Sequence, residues 1–128
     1  MFKLSLTSMK RREWVDPRLI EISDLAIKIT KVDFGHPADG GLRTARRQRE
    51  LFDAGKSKCD GVDRRSAHQS GRALDFYAYV DGKASWEVEH MAMVAAAFLQ
   101  AASLLGYKLK WGGLWSNFSD MPHVELAD

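Results

Sequence analysis

Apolar residues recur at helical spacing in two stretches of the chain. Leu19, Ile22, Ala26 and Ile29 share one stripe, which begins just after Asp16-Pro17, an N-cap residue followed by proline at the first helical position. Val88, Met91, Ala92, Ala95, Phe98, Leu99, Ala102 and Leu105 form a longer stripe. It predicts a helix capped by Ser85 and stopped by Gly106, with Glu87 and Glu89 in the first turn, where the helix dipole favours acids. Thr44 to Ala54 reads as a short third helix, capped by Thr44 and stopped by Gly55.

Elsewhere the period falls from 3.6 to 2. Along Ala73–Val80, residues Leu74, Phe76, Ala78 and Val80 share one face of a strand, and Asp75, Tyr77 and Tyr79 share the other. This strand ends at the turn dipeptide Asp81-Gly82. Tyr107–Trp111 and His123–Leu126 read as short strands joined by the loop Gly112–Pro122. Gly35, Pro37, Gly40 and Gly41 punctuate an earlier loop, and Lys56–Gly71, without periodicity, is an exposed one. Helices first, then strands interrupted by one long helix, predict an α+β domain: a small, mostly antiparallel sheet packed by helices.

Length and composition agree with that pattern. A chain of 128 residues, 45% hydrophobic and 28% charged, suits one globular domain with a core that needs no staples. The lone Cys59 excludes an intrachain disulfide and a cysteine-based zinc cluster. The N-terminus MFKLSLTSMKRREW has no apolar run of signal-peptide length, and no stretch approaches the roughly 20 apolar residues of a transmembrane segment. We therefore expect a monomer of a single domain with no separate binding domain, made in the cytoplasm without a signal peptide. The net charge of +2 is too small to indicate nucleic acid, and no nucleic-acid partner is expected. Its distribution is uneven: Arg43–Arg72 holds nine basic residues against four acidic ones, leaving +5 there and −3 elsewhere. Such a segment can steer a polyanion, although a solvated helix face and loop have the same composition.

Candidate chemistry gathers in two places. Ser66-Ala67-His68-Gln69-Ser70-Gly71-Arg72-Ala73-Leu74-Asp75 runs from a loop into a strand. Trp111-Gly112-Gly113-Leu114-Trp115 is followed by Asp120-Met121-Pro122-His123-Val124-Glu125. Hydrolytic zinc sites take three nitrogen or oxygen ligands and leave a position for water, and His68, Asp75 and His123 would make such a set. Spacing alone leaves this open, because satisfied histidines are commoner than ligands. Gly71 lets the backbone turn so that His68 can return toward Asp75. His36 and His90 read as exposed bystanders, Cys59 as incidental, and a serine-nucleophile role for Ser66 lacks any elbow or oxyanion loop. Trp111 and Trp115 suit either stacking on a ligand or packing under a loop.

The motifs Ser66-x-His68-x-x-Gly71-x-Ala73-x-Asp75, Trp111-Gly112-Gly113-x-Trp115 and Asp120-x-x-His123 resemble the zinc peptidases that include D-alanyl-D-alanine carboxypeptidases and dipeptidases. Within that group the chain is most similar to the L-alanyl-D-glutamate endopeptidases used as phage endolysins. The likeness extends to Gly41-Leu42-Arg43-Thr44, Gln48, Leu51, Gly55 and Lys58-Cys59-Asp60-Gly61, roughly residues 14 to 126. It implies the small α+β fold shared with the hedgehog signalling domain. It implies one Zn2+ on His68, Asp75 and His123, with Asp120 as the catalytic carboxylate and Arg43 stabilising the polarised carbonyl. Ser66 then reads as an orienting hydroxyl, Trp115 as a substrate contact, and Glu125, two residues past His123, as an alternative base. The implied activity is a zinc-dependent peptidoglycan endopeptidase, acting on the cell wall once the membrane is permeabilised. The alternatives are a D-alanyl-D-alanine carboxypeptidase or a non-catalytic metal-binding module of the same fold.

Overall fold

The computed structural model describes residues 1–116 and 119–128. Its helices are α1 (Leu6–Arg11), α2 (Pro17–Ile29), α3 (Ala45–Asp53) and α4 (Val88–Leu105). The strands are β1 (Asp33–Gly35), β2 (Ala73–Asp75), β3 (Tyr77–Val80), β4 (Lys83–Ser85), β5 (Leu109–Trp111) and β6 (His123–Leu126), with short 3-10 turns at Ala67–Ser70 and Gly112–Leu114.

The two apolar stripes become the packed pair α2 and α4. Asp16 caps α2 by accepting the Arg18 N–H, and Leu19, Ile22 and Ala26 are fully buried beneath it. Among the described residues α4 is the one helix long and apolar enough to cross a membrane, but Met91, Val94, Ala95, Phe98 and Ala101 on it are core. Phe98 stacks on Phe76 at 5.2 Å between ring centroids and meets Phe34 at 4.9 Å, so helix and strands share one core. Burying each such side chain contributes roughly 1.5–3 kcal/mol.

The expected single strand Ala73–Val80 is two strands in different sheets. β2 pairs with β6 in the antiparallel order β2-β6-β5, and β3 sits in the antiparallel order β1-β3-β4. Phe76 lies between them, its N–H bonded to the Pro122 carbonyl at 2.8 Å, so the chain leaves one ladder and enters the next. The face pattern survives the break: Leu74, Phe76 and Ala78 are buried, whereas Val80 is only half-buried at the hairpin end.

Other expectations need correcting. Ser85 does not cap α4; it ends β4, and its Oγ bonds His90 Nδ1 at 2.7 Å while the helix begins at Val88. That bond leaves His90 half-buried instead of free on the surface. The predicted strand Tyr107–Trp111 is shorter by two residues at its start. α1, β1 and β4 carry too few residues to show a period and went unread. α1 docks through Arg12, which is buried and bonds Asp24 at 2.6 Å and the Ile20 carbonyl at 3.2 Å.

Candidate active site

Register builds two-thirds of the site. Asp75 ends β2 directly opposite His123, which opens β6. Facing residues of an antiparallel pair hold their Cβ atoms about 4.5–5.5 Å apart, so both side chains leave the same face together. His68 arrives from the 3-10 turn Ala67–Ser70. Ser66 caps that turn, its Oγ accepting the His68 N–H at 3.2 Å, while Gln69 Oε1 accepts the Ser66 N–H at 2.9 Å. Gly71 closes it at φ 72°, a left-handed conformation that reverses the chain into β2.

His68 Nε2 lies 3.1 Å from Asp75 Oδ1 and 3.2 Å from His123 Nδ1, and His123 Nδ1 lies 3.3 Å from Asp75 Oδ1. Four ligands arranged tetrahedrally about 2.0 Å from zinc stand about 3.3 Å apart. The three observed separations match three edges of that figure.

The outer nitrogens explain why these atoms face inward. His68 Nδ1 lies 2.9 Å from the Gly41 carbonyl, an acceptor, so it carries the ring proton. His123 Nε2 lies 2.8 Å from Glu125 Oε1 and carries its own. Both inner nitrogens then present lone pairs beside a carboxylate oxygen. Three acceptors this close need a cation among them.

Electrostatics agree. Burial pushes Asp75 up, but the charges and hydrogen bonds of His68 and His123 outweigh it and hold the carboxyl well below its ordinary range. Burial pushes His123 down, yet bonds to Asp75 and Glu125 win and raise it to about 9. At neutral pH the cluster therefore holds positive charge, either as a proton on His123 or as a metal ion that displaces it. The donor set, two imidazoles and a carboxylate without sulfur, fits hydrolytic zinc.

The cluster opens into a cleft of about 890 Å³. Asp120 and Trp115 line it, with the Asp120 Oδ2 3.9 Å from His123 Nδ1 and the Trp115 ring 5.2 Å from the His123 ring. Burial and the neighbouring charge of Asp75 raise the proton affinity of Asp120. Arg43 donates to Asp75 Oδ2 at 3.3 Å, to Gln48 Oε1 at 3.2 Å and to the Asp39 carbonyl at 2.7 Å. It thereby holds Asp75 so that Oδ1, the other oxygen, meets the histidines.

His68, Asp75, His123, Asp120, Arg43, Ser66, Trp115 and Glu125 thus all line one cleft. Trp111 instead packs below it, its Nε1 bonded to the Met121 carbonyl at 2.7 Å. Three supporting roles follow only from the tertiary contacts. His36 is fully buried, the opposite of the exposed bystander expected: Nδ1 bonds the Asp75 carbonyl at 2.7 Å and Nε2 bonds Ser23 Oγ at 2.8 Å. Gln48, also fully buried, supports Arg43 and the loop before Ser66. Glu125 holds the nitrogen of His123 that faces away from the cluster. No spacing rule marks the roles of His36 and Gln48, whose partners are remote in sequence, and the spacing that marked Glu125 left open which nitrogen of His123 it meets.

A model of the phage L-alanyl-D-glutamate peptidase family matches residues 1–127. The chain belongs to that family. It is 32% identical over 126 residues to the L-alanyl-D-glutamate peptidase of Escherichia phage T5, a match covering 98% of this chain and 89% of that protein. It is 30% identical over 97 residues to the peptidoglycan L-alanyl-D-glutamate endopeptidase CwlK of Bacillus subtilis, covering 67% of this chain and 57% of that protein. Among solved structures, the L-Ala D-Glu endopeptidase ChiX of Serratia marcescens superposes with a TM-score of 0.86 at 34% identity, covering 98% of this chain and 90% of that one. The family fold is the small domain of helices and antiparallel strands described above.

Proposed function

We propose that this chain is a zinc-dependent endopeptidase that hydrolyses the L-alanyl-D-glutamate bond of peptidoglycan stems and serves as a phage lysin. The observation that carries this reading is the convergence of His68 Nε2, Asp75 Oδ1 and His123 Nδ1 within a cleft that also holds Asp120. The choice of bond draws on the family and on the names of the relatives. The lysin role draws on the family's phage members, with release to the wall following permeabilisation of the membrane.

His68, Asp75 and His123 would hold the ion. Zinc, when bound, polarises a carbonyl oxygen and lowers the pKa of a water molecule to about 7. Asp120 takes the proton of the attacking water and hands it to the leaving amine, as general base and then general acid. Its raised proton affinity suits that double task. Arg43 places positive charge beside Asp75 at the cleft, where the developing oxyanion needs it. Ser66 orients His68 through its backbone. Trp115 offers the substrate a flat apolar wall beside His123.

Mass spectrometry of fragments released from purified peptidoglycan tests the reading. New D-glutamate amino termini and L-alanine carboxyl termini are expected, and a chelator should abolish them until zinc is restored. Loss of terminal D-alanine alone would mark a carboxypeptidase, and no release at all would mark a binding module.

A further inference from the structure

The cleft is strongly basic beyond what its own chemistry uses. Arg43, Arg47 and Arg72 on its wall are paired with Asp75, Asp39 and Asp128. Arg64 and Arg65 line the same cleft, and among the described residues neither side chain has an ion-pair partner. Both side chains are exposed on the cleft wall, where a guanidinium can meet an anion in the cleft with charge-assisted hydrogen bonds.

Their loop is well anchored. Asp60 Oδ1 accepts the N–H groups of Val62 at 2.9 Å and Arg64 at 3.0 Å. Gln69, in the His68 turn, donates to the Gly61 carbonyl at 3.0 Å. Gln48, which also supports Arg43, donates to Ser57 Oγ and to the Cys59 carbonyl, both at 2.8 Å. The loop is therefore tied to the elements that carry His68 and Arg43. Arg65 precedes His68 by three residues, which limits their Cα separation to about 11 Å, and a guanidinium reaches several ångströms further.

The proposed substrate supplies a matching anion. The residue on the amine side of its scissile bond is a glutamate, which has two carboxyl groups. Only one can continue the peptide chain. The other is free and negative, or amidated and neutral. We infer that Arg64 and Arg65 are specificity-determining residues that favour stems whose glutamate carboxylate is free over stems in which it is amidated. This inference rests on the peptidase reading above.

The test uses the zinc-loaded full chain and two synthetic stem peptides. They differ only in whether that group of D-glutamate is a carboxylate or a carboxamide. An exposed ion pair changes affinity by up to about fivefold, so two together should give a preference of about two- to twentyfold for the acid. Replacing both residues (R64Q with R65Q) should raise KM for the acid by that factor, leave kcat nearly constant and level the two peptides. Added salt should raise KM for the acid more than for the amide. R46Q with R49Q removes the same charge from α3 outside the cleft, and should keep the preference. Equal cleavage of both peptides by the parent protein overturns the inference and spares the peptidase reading, as does a preference that survives R64Q/R65Q. Cleavage of neither peptide overturns the peptidase reading and the inference with it.

Discussion

His123 separates two carboxylates that stand close together in the sequence. Glu125 Oε1 is 2.8 Å from Nε2, whereas Asp120 Oδ2 is 3.9 Å from Nδ1, the nitrogen facing Asp75 and His68. Only Asp120 is on the side where a water and a scissile bond would meet the ligand atoms. Asp120→Asn keeps the shape of the side chain but cannot accept a proton. Turnover should fall about 10²–10⁴-fold with bound zinc unchanged, as read by steady-state kinetics and metal analysis. Glu125→Gln retains an acceptor for the Nε2 proton, so kcat should fall less than about tenfold while zinc affinity weakens measurably. A larger kcat loss in Glu125→Gln would transfer the base role to Glu125. His68→Ala, Asp75→Ala and His123→Ala should each lose zinc and activity together.

At the scale of elements, the position of Asp120 depends on a close approach between chain segments. Gly112 opens the 3-10 turn after β5, and its carbonyl accepts the Asp120 N–H at 2.9 Å. A Cβ on Gly112 would stand 2.5 Å from the Asp120 carbonyl oxygen, so one backbone segment must move. Gly112→Ala should lower kcat by about tenfold or more, since misplacing a catalytic group by about 1 Å can cost 10²-fold. Zinc content should be retained, because β2, β6 and the His68 turn do not include Gly112. Metal loss in Gly112→Ala would show that the turn also supports the ligands. The long elements were readable because each repeats its period: α2, α3 and α4 were expected in place, and β6 residue for residue. Ala73–Val80 was legible as extended but not as divided. Alternation continues unbroken through Phe76, and only pairing partners decide that the chain changes sheets there.

Across the whole molecule, the site rests on a buried polar layer behind it. His36 is enclosed by α2, the end of β2 and Phe98. Burial holds it down at about 4, against 6.5 for an exposed histidine. As pH falls, the unfolded chain takes up this proton first. Its stabilising contribution is therefore complete above about pH 6.5 and is lost progressively toward pH 4, by up to about 3 kcal/mol. Chemical unfolding in chelator between pH 7.5 and 4.5 should show that loss. His36→Gln, less stable throughout, should show a flatter profile, and equal slopes would assign the loss to other groups. By itself the sequence determined α2, α3, α4 and the α+β class, because periodicity is local; spacing left the ligand set open, and the resemblance of the short, ordered motifs named it. The tertiary structure alone decided the rest. It set the β2–β6 register that puts Asp75 beside His123, and the partners of the outer nitrogens that turn both lone pairs inward. It also buried His36, whose sequence neighbours Gly35 and Pro37 suggest a surface loop. Except for Glu125, two residues from His123, each of these depends on contacts between segments tens of residues apart, and such distances carry no periodic trace along the chain.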